Sequence, residues 1–432
     1  MKITYITHAC LLIETDGLRI LTDPWIAGPS WGGNIWVYPP AKVAPEELTD
    51  IDVIYFSHAH EDHFQRECVD RLPAEVKEDA LVLLPDFEMP YFQNAVMRAG
   101  FKNIKVLEHD ESIDIKDGVT LHMLINDQGD HDSAVVLQAE GNSIFMQTDS
   151  LISVAEAKRI SQKFDIDLMF TITIMTGIFP AFCDIDADTV IEKAEQKRTN
   201  SREYALKIAE AMKPTYAVPY ASDLCYLGEL FHINILHHHD KEAYLSELTK
   251  RNCEVEGIRM GPNDSLVIID GKVNERHLSK PDDSYERLST YAIEMGERVH
   301  QSWLEERSRT EPLIDRLTEH LAANLEEVFS NFPEPFYRVL WRITDDDGYR
   351  VCIGHSAGGK TSIVSNNWEY DLRIDVPAFR LRRLAHGDYP MGFLTLQNGC
   401  VRFHRHVDEF TGRERDYWNK LLHLRLYSAT KK

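Results

Sequence analysis

One short run constrains this chain more than any other: His58-Ala59-His60-Glu61-Asp62-His63. It holds four metal-capable side chains, His58, His60, Asp62 and His63. The preceding Ile51-Asp52-Val53-Ile54-Tyr55-Phe56 is largely apolar and reads as a buried strand that stops at Ser57. Side chains in a loop leaving such a strand converge on one point from two sides. Strand ends that open into loops are where α/β and αββα proteins carry their chemistry. Imidazole and carboxylate are ligands for zinc, iron or manganese. A lone surface histidine is usually a solvated side chain, but this spacing behind a buried strand predicts a metal centre.

Closing such a centre takes residues distant in the chain. Asp130-His131-Asp132-Ser133 precedes a strand and offers His131. Gln147-Thr148-Asp149 ends the paired strand and offers Asp149, a carboxylate able to bridge two ions. The surrounding pattern is one of short strands alternating with helices. Strands are expected at Ile3 to Ile6, Cys10 to Glu14 and Leu18 to Thr22, with a hairpin turn at Asp16-Gly17. Others follow at Leu81 to Leu84, Val119 to Leu124, Ala134 to Ala139, Ser143 to Gln147, Asp167 to Thr173 and Tyr216 to Val218. Gly141-Asn142 reads as a second hairpin turn, and a helix from Ala187 to Met212 is stopped by Pro214.

At 432 residues the chain is too long for one core, and three units are expected. Residues 1–270 form the metal-binding unit. Residues 271–330 begin polar and continue as two helical patterns, a helical linker. Residues 331–432 return to strands and form an accessory unit. The formal net charge of -23 repels phosphate backbones and anionic lipid, which argues against nucleic-acid or membrane partners. Seven scattered cysteines with no Cys-x-x-Cys pair do not make a disulfide framework. With no leader pattern and no long apolar stretch, a cytoplasmic protein is expected.

The run matches the His-x-His-x-Asp-His signature of the metallo-β-lactamase superfamily. Thr7-His8-Ala9-Cys10-Leu11-Leu12-Ile13 and Leu21-Thr22-Asp23-Pro24-Trp25 resemble the opening of the branch that contains L-ascorbate-6-phosphate lactonase and N-acyl-phosphatidylethanolamine phospholipase D. The resemblance covers about residues 1–270. It implies an α/β fold, an αββα sandwich with the metals at one edge, followed here by a smaller C-terminal α+β domain. It also implies that His58, His60 and His131 form one metal site, and that Asp62, His63 and Asp149 form part of a second. His8 and Asp23 belong to the opening motif. They either contact the active-site edge and orient ligands, or serve structure alone, Asp23 as a turn cap before Pro24.

The pattern breaks at Val218-Pro219-Tyr220-Ala221-Ser222-Asp223, where the superfamily usually supplies a further histidine. Ala221 occupies that position. The second site is therefore weaker, absent, or completed by Asp223, Tyr220 or a later histidine, with His232, His237, His238 and His239 the candidates. Pro219-Tyr220-Ala221, Leu384-Ala385-His386-Gly387-Asp388-Tyr389 and Phe403-His404-Arg405-His406 loosely resemble CMP-N-acetylneuraminate hydroxylase. That family also carries a Rieske iron–sulfur domain, which needs Cys-x-His and Cys-x-x-His pairs. Cys352-Ile353-Gly354-His355 has the second spacing, but no Cys-x-His occurs.

Two activities follow as expectations. The first is hydrolysis of a small anionic ester, lactone, amide or phosphodiester by metal-activated water, with Asp62 or Asp149 orienting it. The alternative is a non-haem iron or diiron oxygenase supplied by a separate electron-transfer protein. The cofactor is one or two divalent ions, zinc first, with iron or manganese as alternatives. The substrate is a small molecule, and a homodimer is compatible with the C-terminal unit.

Overall fold

Val53–Tyr55, Asn142–Met146, Leu168–Ile172 and Tyr216–Tyr220 are buried along their whole length, so their sheets are covered on both faces. The computed structural model describes residues 1–432 apart from 32, 88–90, 128–131, 175–179, 182–185, 238–240, 252–253, 312–313, 330–337, 346–347, 357–359, 379–380, 382–401 and 406–432. Met391 to Leu396, which reads as a strand in the sequence, and the region around Glu414 to Leu424, which reads as a helix, lie outside the described residues.

The first sheet has eight strands. Lys2–Thr7, Cys10–Thr15 and Leu18–Thr22 form an antiparallel run, and Val53–Tyr55, Leu81–Pro85 and Asn103–Leu107 continue it in parallel. Asp16 and Gly17 both have positive φ, 48° and 73°, which is the turn that a tight hairpin needs. The second sheet has seven strands. Ser112–Lys116, Val119–Ile125, Ser133–Ala139 and Asn142–Met146 are antiparallel, and Leu168–Ile172 and Tyr216–Tyr220 join in parallel. Its middle hairpin turns at Glu140 and Gly141, φ 52° and 74°, one residue earlier than expected, so Asn142 begins the strand.

The sheets pack face to face. Val53 and Tyr55 point into the layer between them with Ile3, Ile13, Leu121, Val135, Leu137, Leu168 and Val218. Ile54 points the other way and packs with Phe56, Val82, Cys68, Val69, Phe92 and Val96, under the helices Arg66–Arg71 and Tyr91–Arg98. On the far side, Val136, Phe145 and Met169 pack on Ala157, Ile160, Ala205, Leu206 and Ala209 of the helices Val154–Lys163 and Ala187–Met212. Each buried aliphatic side chain contributes about 1.5–3 kcal/mol. The result is the expected αββα sandwich.

The expected boundary at 270 falls inside a hairpin. Ser265–Ile269 and Lys272–His277 pair antiparallel, and Ser265–Ile269 also pairs with the opening strand. The first sheet therefore extends to His277. The helices Tyr285–Glu294 and Gly296–Thr310 do not hang between units. They pack on a three-stranded sheet of Pro29–Ser30, Ile35–Val37 and Leu224–Tyr226, where Trp36, Leu227, Tyr291 and Val299 form a separate core. Trp303 donates to the Gly33 carbonyl at 3.1 Å, and Tyr291 to that of Val37 at 3.3 Å. The helix Ile314–Phe329 packs on a five-stranded sheet that contains Val339–Asp345, Gly348–Ser356, Lys360–Ile363, Leu372–Pro377 and Arg402–Arg405. This is the C-terminal α+β unit. Cys352 and His355 sit on one strand at an odd spacing, so their side chains leave opposite faces. No described helix is long and apolar enough to cross a membrane.

Candidate metal centre

Parallel neighbours end together, and that is what gathers the site. Leu18–Thr22 and Val53–Tyr55 run side by side in the first sheet, so Asp23 and the His58–His63 run emerge at one edge. Asn142–Met146, Leu168–Ile172 and Tyr216–Tyr220 do the same in the second sheet, bringing Asp149 and Ala221 to that edge. The turn between Lys2–Thr7 and Cys10–Thr15 adds His8. The sheets are stitched together here. Ser133 Oγ donates to the Ser57 carbonyl at 2.7 Å and lies 2.8 Å from the Tyr55 hydroxyl. Thr148 Oγ1 donates to the Ser133 carbonyl, and the Thr148 amide donates to the Tyr220 hydroxyl at 2.5 Å.

Two triads of donors result. His58, His60 and Asp149 each offer one ligand atom within 4.8 Å of the others, and His8, Asp62 and His63 do the same. In the first, His58 Nε2 lies 2.7 Å from His60 Nδ1 and 3.9 Å from Asp149 Oδ2. The same Asp149 oxygen lies 3.4 Å from His63 Nε2, so this carboxylate stands between the triads. In the second, His8 Nε2 lies 3.8 Å from Asp62 Oδ2. The second triad is the deeper one. The side chains of His8, Asp62 and His63 are 2%, 4% and 0% exposed, against 21% for Asp149.

Asp23 is fully buried and orients the run. It accepts from the Ser57 amide at 2.8 Å and the Ser57 hydroxyl at 2.6 Å. Its Oδ2 lies 2.8 Å from His63 Nδ1, which leaves Nε2 of that ring facing the triad. Ser57 Oγ lies 2.9 Å from His58 Nδ1 and turns that ring in the same manner. Strain concentrates at this edge: His8, Asp23, Thr148 and Ala221 all have positive φ, at 50°, 33°, 53° and 53°. Such conformations cost energy in residues other than glycine and persist where surroundings enforce them.

Electrostatics favour ligation. Burial, reinforced by His63, lowers the His8 pKa to about 3. Burial does the same to His60, to about 3, against an opposing pull from Asp149. Burial, with His63, His60 and His8 adding to it, holds His58 well below its ordinary range. These three imidazoles are neutral, the form that binds metal. His63 goes the other way: burial is outweighed by Asp149 and Asp23, and its pKa rises. Burial lifts Asp62 to about 7, against the pull of His63. Several buried polar atoms here make no hydrogen bond: both ring nitrogens of His8, Oδ1 of Asp62 and Oδ1 of Asp149. Leaving one such atom unpaired costs about 1–3 kcal/mol. A cation among them would take one ring nitrogen of His8 together with the carboxylate oxygens. The nitrogen and oxygen donor set fits zinc, iron or manganese.

The remaining expected residues fare differently. His131 lies outside the described residues. Asp223 does not join either triad. Its Oδ1 accepts from Lys241, and its Oδ2 from the Tyr5 hydroxyl at 2.5 Å and the His8 amide at 3.2 Å. Those bonds use the carboxylate as a counter-ion for a buried lysine. The Tyr220 hydroxyl is taken by Thr148, and His232 Nδ1 faces the Glu229 carbonyl at 2.9 Å. His238 and His239 lie outside the described residues. Sequence reasoning passed over Asp132, whose Oδ1 is 3.5 Å from His58 Nε2, and Trp25 and Trp31, whose rings meet His8 and His60 edge-on at 5.1 Å and 5.2 Å. Asp132 was legible as the neighbour of His131 and Trp25 as the end of the opening motif; Trp31 carried no signal.

Residues 2–155 match the family model of the beta-lactamase superfamily domain. A putative Rieske 2Fe-2S iron-sulfur protein of Mycobacterium tuberculosis is 28% identical over 253 residues, 54% of this chain and 46% of that protein. Another, of Mycolicibacterium smegmatis, is 25% identical over 384 residues, 81% of this chain and 69% of that one. The cytidine monophosphate-N-acetylneuraminic acid hydroxylase of Cricetulus griseus is 24% identical over 339 residues, 71% and 58% of the two chains. The chain spans about half the length of the first curated relatives it matches. Among solved structures, the isothiocyanate hydrolase from Delia radicum gut bacteria aligns with a TM-score of 0.46 at 16% identity, over 62% of this chain and 99% of that one. CmlA, a diiron beta-hydroxylase from Streptomyces venezuelae, aligns with a TM-score of 0.41 at 15% identity, over 60% and 52%. Residues 2–155 thus belong to a metallo-β-lactamase-fold, metal-dependent enzyme domain, and a fold alone does not select the chemistry.

Proposed function

We propose that the two triads hold transition-metal ions and that the chain is the metal-bearing component of a hydroxylase, with iron as the working metal and a separate electron-transfer protein as its reductant. One observation carries this reading. The sandwich that carries the two triads has its last strand end at His277 of 432 residues, yet the hydroxylase and the Mycolicibacterium smegmatis protein align over 71% and 81% of the chain. Both alignments are too long to be confined to that sandwich, so they support a likeness that goes beyond a shared metal-binding fold.

In this reading His58, His60 and Asp149 hold the outer ion, and His63 and Asp62 contribute to the inner one. When bound, iron supplies redox chemistry with dioxygen. The protein's own residues do the rest. Asp23 and Ser57 hold the imidazoles of His63 and His58 at fixed angles. Partial exposure of Asp149 and Asp132 makes the outer triad the side from which a small molecule approaches. Hydroxylation by dioxygen also consumes two electrons and two protons, and the chain has no Cys-x-His pair with which to ligate a Rieske cluster of its own. That same lack favours the second reading, hydrolysis, which needs no electrons.

Metal analysis of the full chain purified without added metal separates the two. Retained iron, with oxygen uptake that requires a reductant, is the expected result. Zinc or manganese, with reductant-free turnover of a phosphodiester or lactone, would overturn the hydroxylase in favour of hydrolysis. In either reading a chelator abolishes turnover. It also lowers the melting temperature by about 5–10 °C, because ions bound only by the folded state stabilise it; scanning calorimetry before and after chelation measures this.

A further inference from the structure

The sequence leaves the inner site one imidazole short, because Ala221 stands where a ligand was expected. The structure puts another imidazole beside that alanine. The Ala221 amide donates to the His8 carbonyl at 3.0 Å, and both residues are left-handed. The two turns therefore lock together, one from the first sheet and one from the second. The His8 ring points inward, its nitrogens buried and without hydrogen bonds. It lies 5.2 Å from the His63 ring, centre to centre, with Trp25 edge-on at 5.1 Å.

The support under His8 is unusual for a turn. Asp223 accepts from its amide, and the Tyr5 hydroxyl lies 3.0 Å from its carbonyl while donating to Asp223. Lys241 neutralises Asp223, and all three side chains are buried. A buried ion pair is thus arranged around the peptide of one histidine whose own side chain bonds to nothing. A purely structural imidazole at this depth would be expected to use at least one ring nitrogen.

We infer that His8 is a direct ligand of the inner metal ion, standing in for the imidazole that Ala221 lacks, with Asp62, His63 and the shared Asp149 as its partners. The inference rests on the two-ion reading of the site.

The test is ion stoichiometry and affinity, read by elemental analysis and by titrating the metal-stripped full chain with cobalt(II), whose visible bands report its ligands. Wild type, His8→Ala, His8→Gln and the double variant His8→Ala with Ala221→His are compared, with circular dichroism to verify folding. Wild type takes up two ions. His8→Ala and His8→Gln keep the outer ion and lose affinity for the inner one by more than the roughly 10–100-fold that removal of an outer partner costs. Adding Ala221→His to His8→Ala restores the second ion. Two ions bound with unchanged affinity and unchanged cobalt bands in both single variants would overturn the role of His8 and leave the two-ion reading standing. A single ion in wild type would overturn the two-ion reading and this inference with it. A variant that fails to fold is replaced by the other, since glutamine keeps the ring's polarity and nearly its volume.

Discussion

Changing His58 and His60 together to alanine removes the outer ion and lowers kcat/KM by about 10³-fold or more, some 4 kcal/mol of transition-state stabilisation. The two rings supply both nitrogens of the outer triad and leave, among the described residues of that triad, only Asp149. One carboxylate does not hold a transition metal against solvent. Neither ring is a packing keystone for the sandwich, whose inter-sheet core is built from other residues. The variant is therefore expected to fold, lose about one ion per chain and retain its secondary structure. Elemental analysis with circular dichroism checks this, and full metal retention would refute the central assignment.

The second large effect is on stability. Lys241→Met leaves the Asp223 carboxylate buried without its counter-ion, which costs about 3–5 kcal/mol. For a unit of this size the melting temperature falls by about 10 °C. Replacing both partners, Lys241→Met with Asp223→Leu, recovers much of the loss, because an apolar pair carries no desolvation penalty. The pH dependence separates the two proteins. In wild type, burial pushes the Asp223 pKa upward, but Lys241 and the hydrogen bonds from Lys241 and Tyr5 outweigh it and hold it below the ordinary aspartate range. A depressed pKa contributes stability above the unfolded value of about 3.9 and loses it as pH falls through the folded one. In Lys241→Met burial remains, opposed by the hydrogen bonds from Tyr5 and the His8 amide and by the Arg259 charge. Burial then dominates, the folded pKa rises, and stability improves as pH is lowered. Thermal melts between pH 2 and pH 8 tell them apart: wild type loses this contribution only below about pH 4, whereas Lys241→Met gains stability as pH falls from 8; parallel profiles would sink the account.

How far the sequence carried depends on where each residue sits. The helix Ala187–Met212 was legible because Pro214 forbids continuation; the structure adds that Asp186 caps its first turn and Lys213 ends it in a left-handed conformation. Buried strands such as Leu18–Thr22 were equally plain. The strands Ser112–Lys116 and Lys272–His277 were not. Both have largely exposed polar side chains, and Lys272–His277 is an edge strand whose charges read as a linker. The Asp270-Gly271 pair between the last two strands, φ 50° and 72°, was the available signal.

The site divides in the same way. Local spacing announced His58, His60, Asp62 and His63, and Asp149 followed as the end of a strand. Asp223 was misread because its partner Lys241 lies 18 residues on, and nothing local marks the pairing. His8 was noticed as part of a motif, but its depth depends on a left-handed turn that sequence does not reveal.

The opening strand has one more consequence. Lys2–Thr7 is not at an edge: Cys10–Thr15 flanks it on one side and Ser265–Ile269 on the other, with Lys2 opposite Val267. A ribosome must therefore release more than 260 residues before this strand gains its second neighbour. Until then it presents an unpaired hydrogen-bonding edge, and such distant pairings form slowly. The turn that carries His8 begins where that strand ends, so its final setting depends on residues more than 250 positions away in the chain.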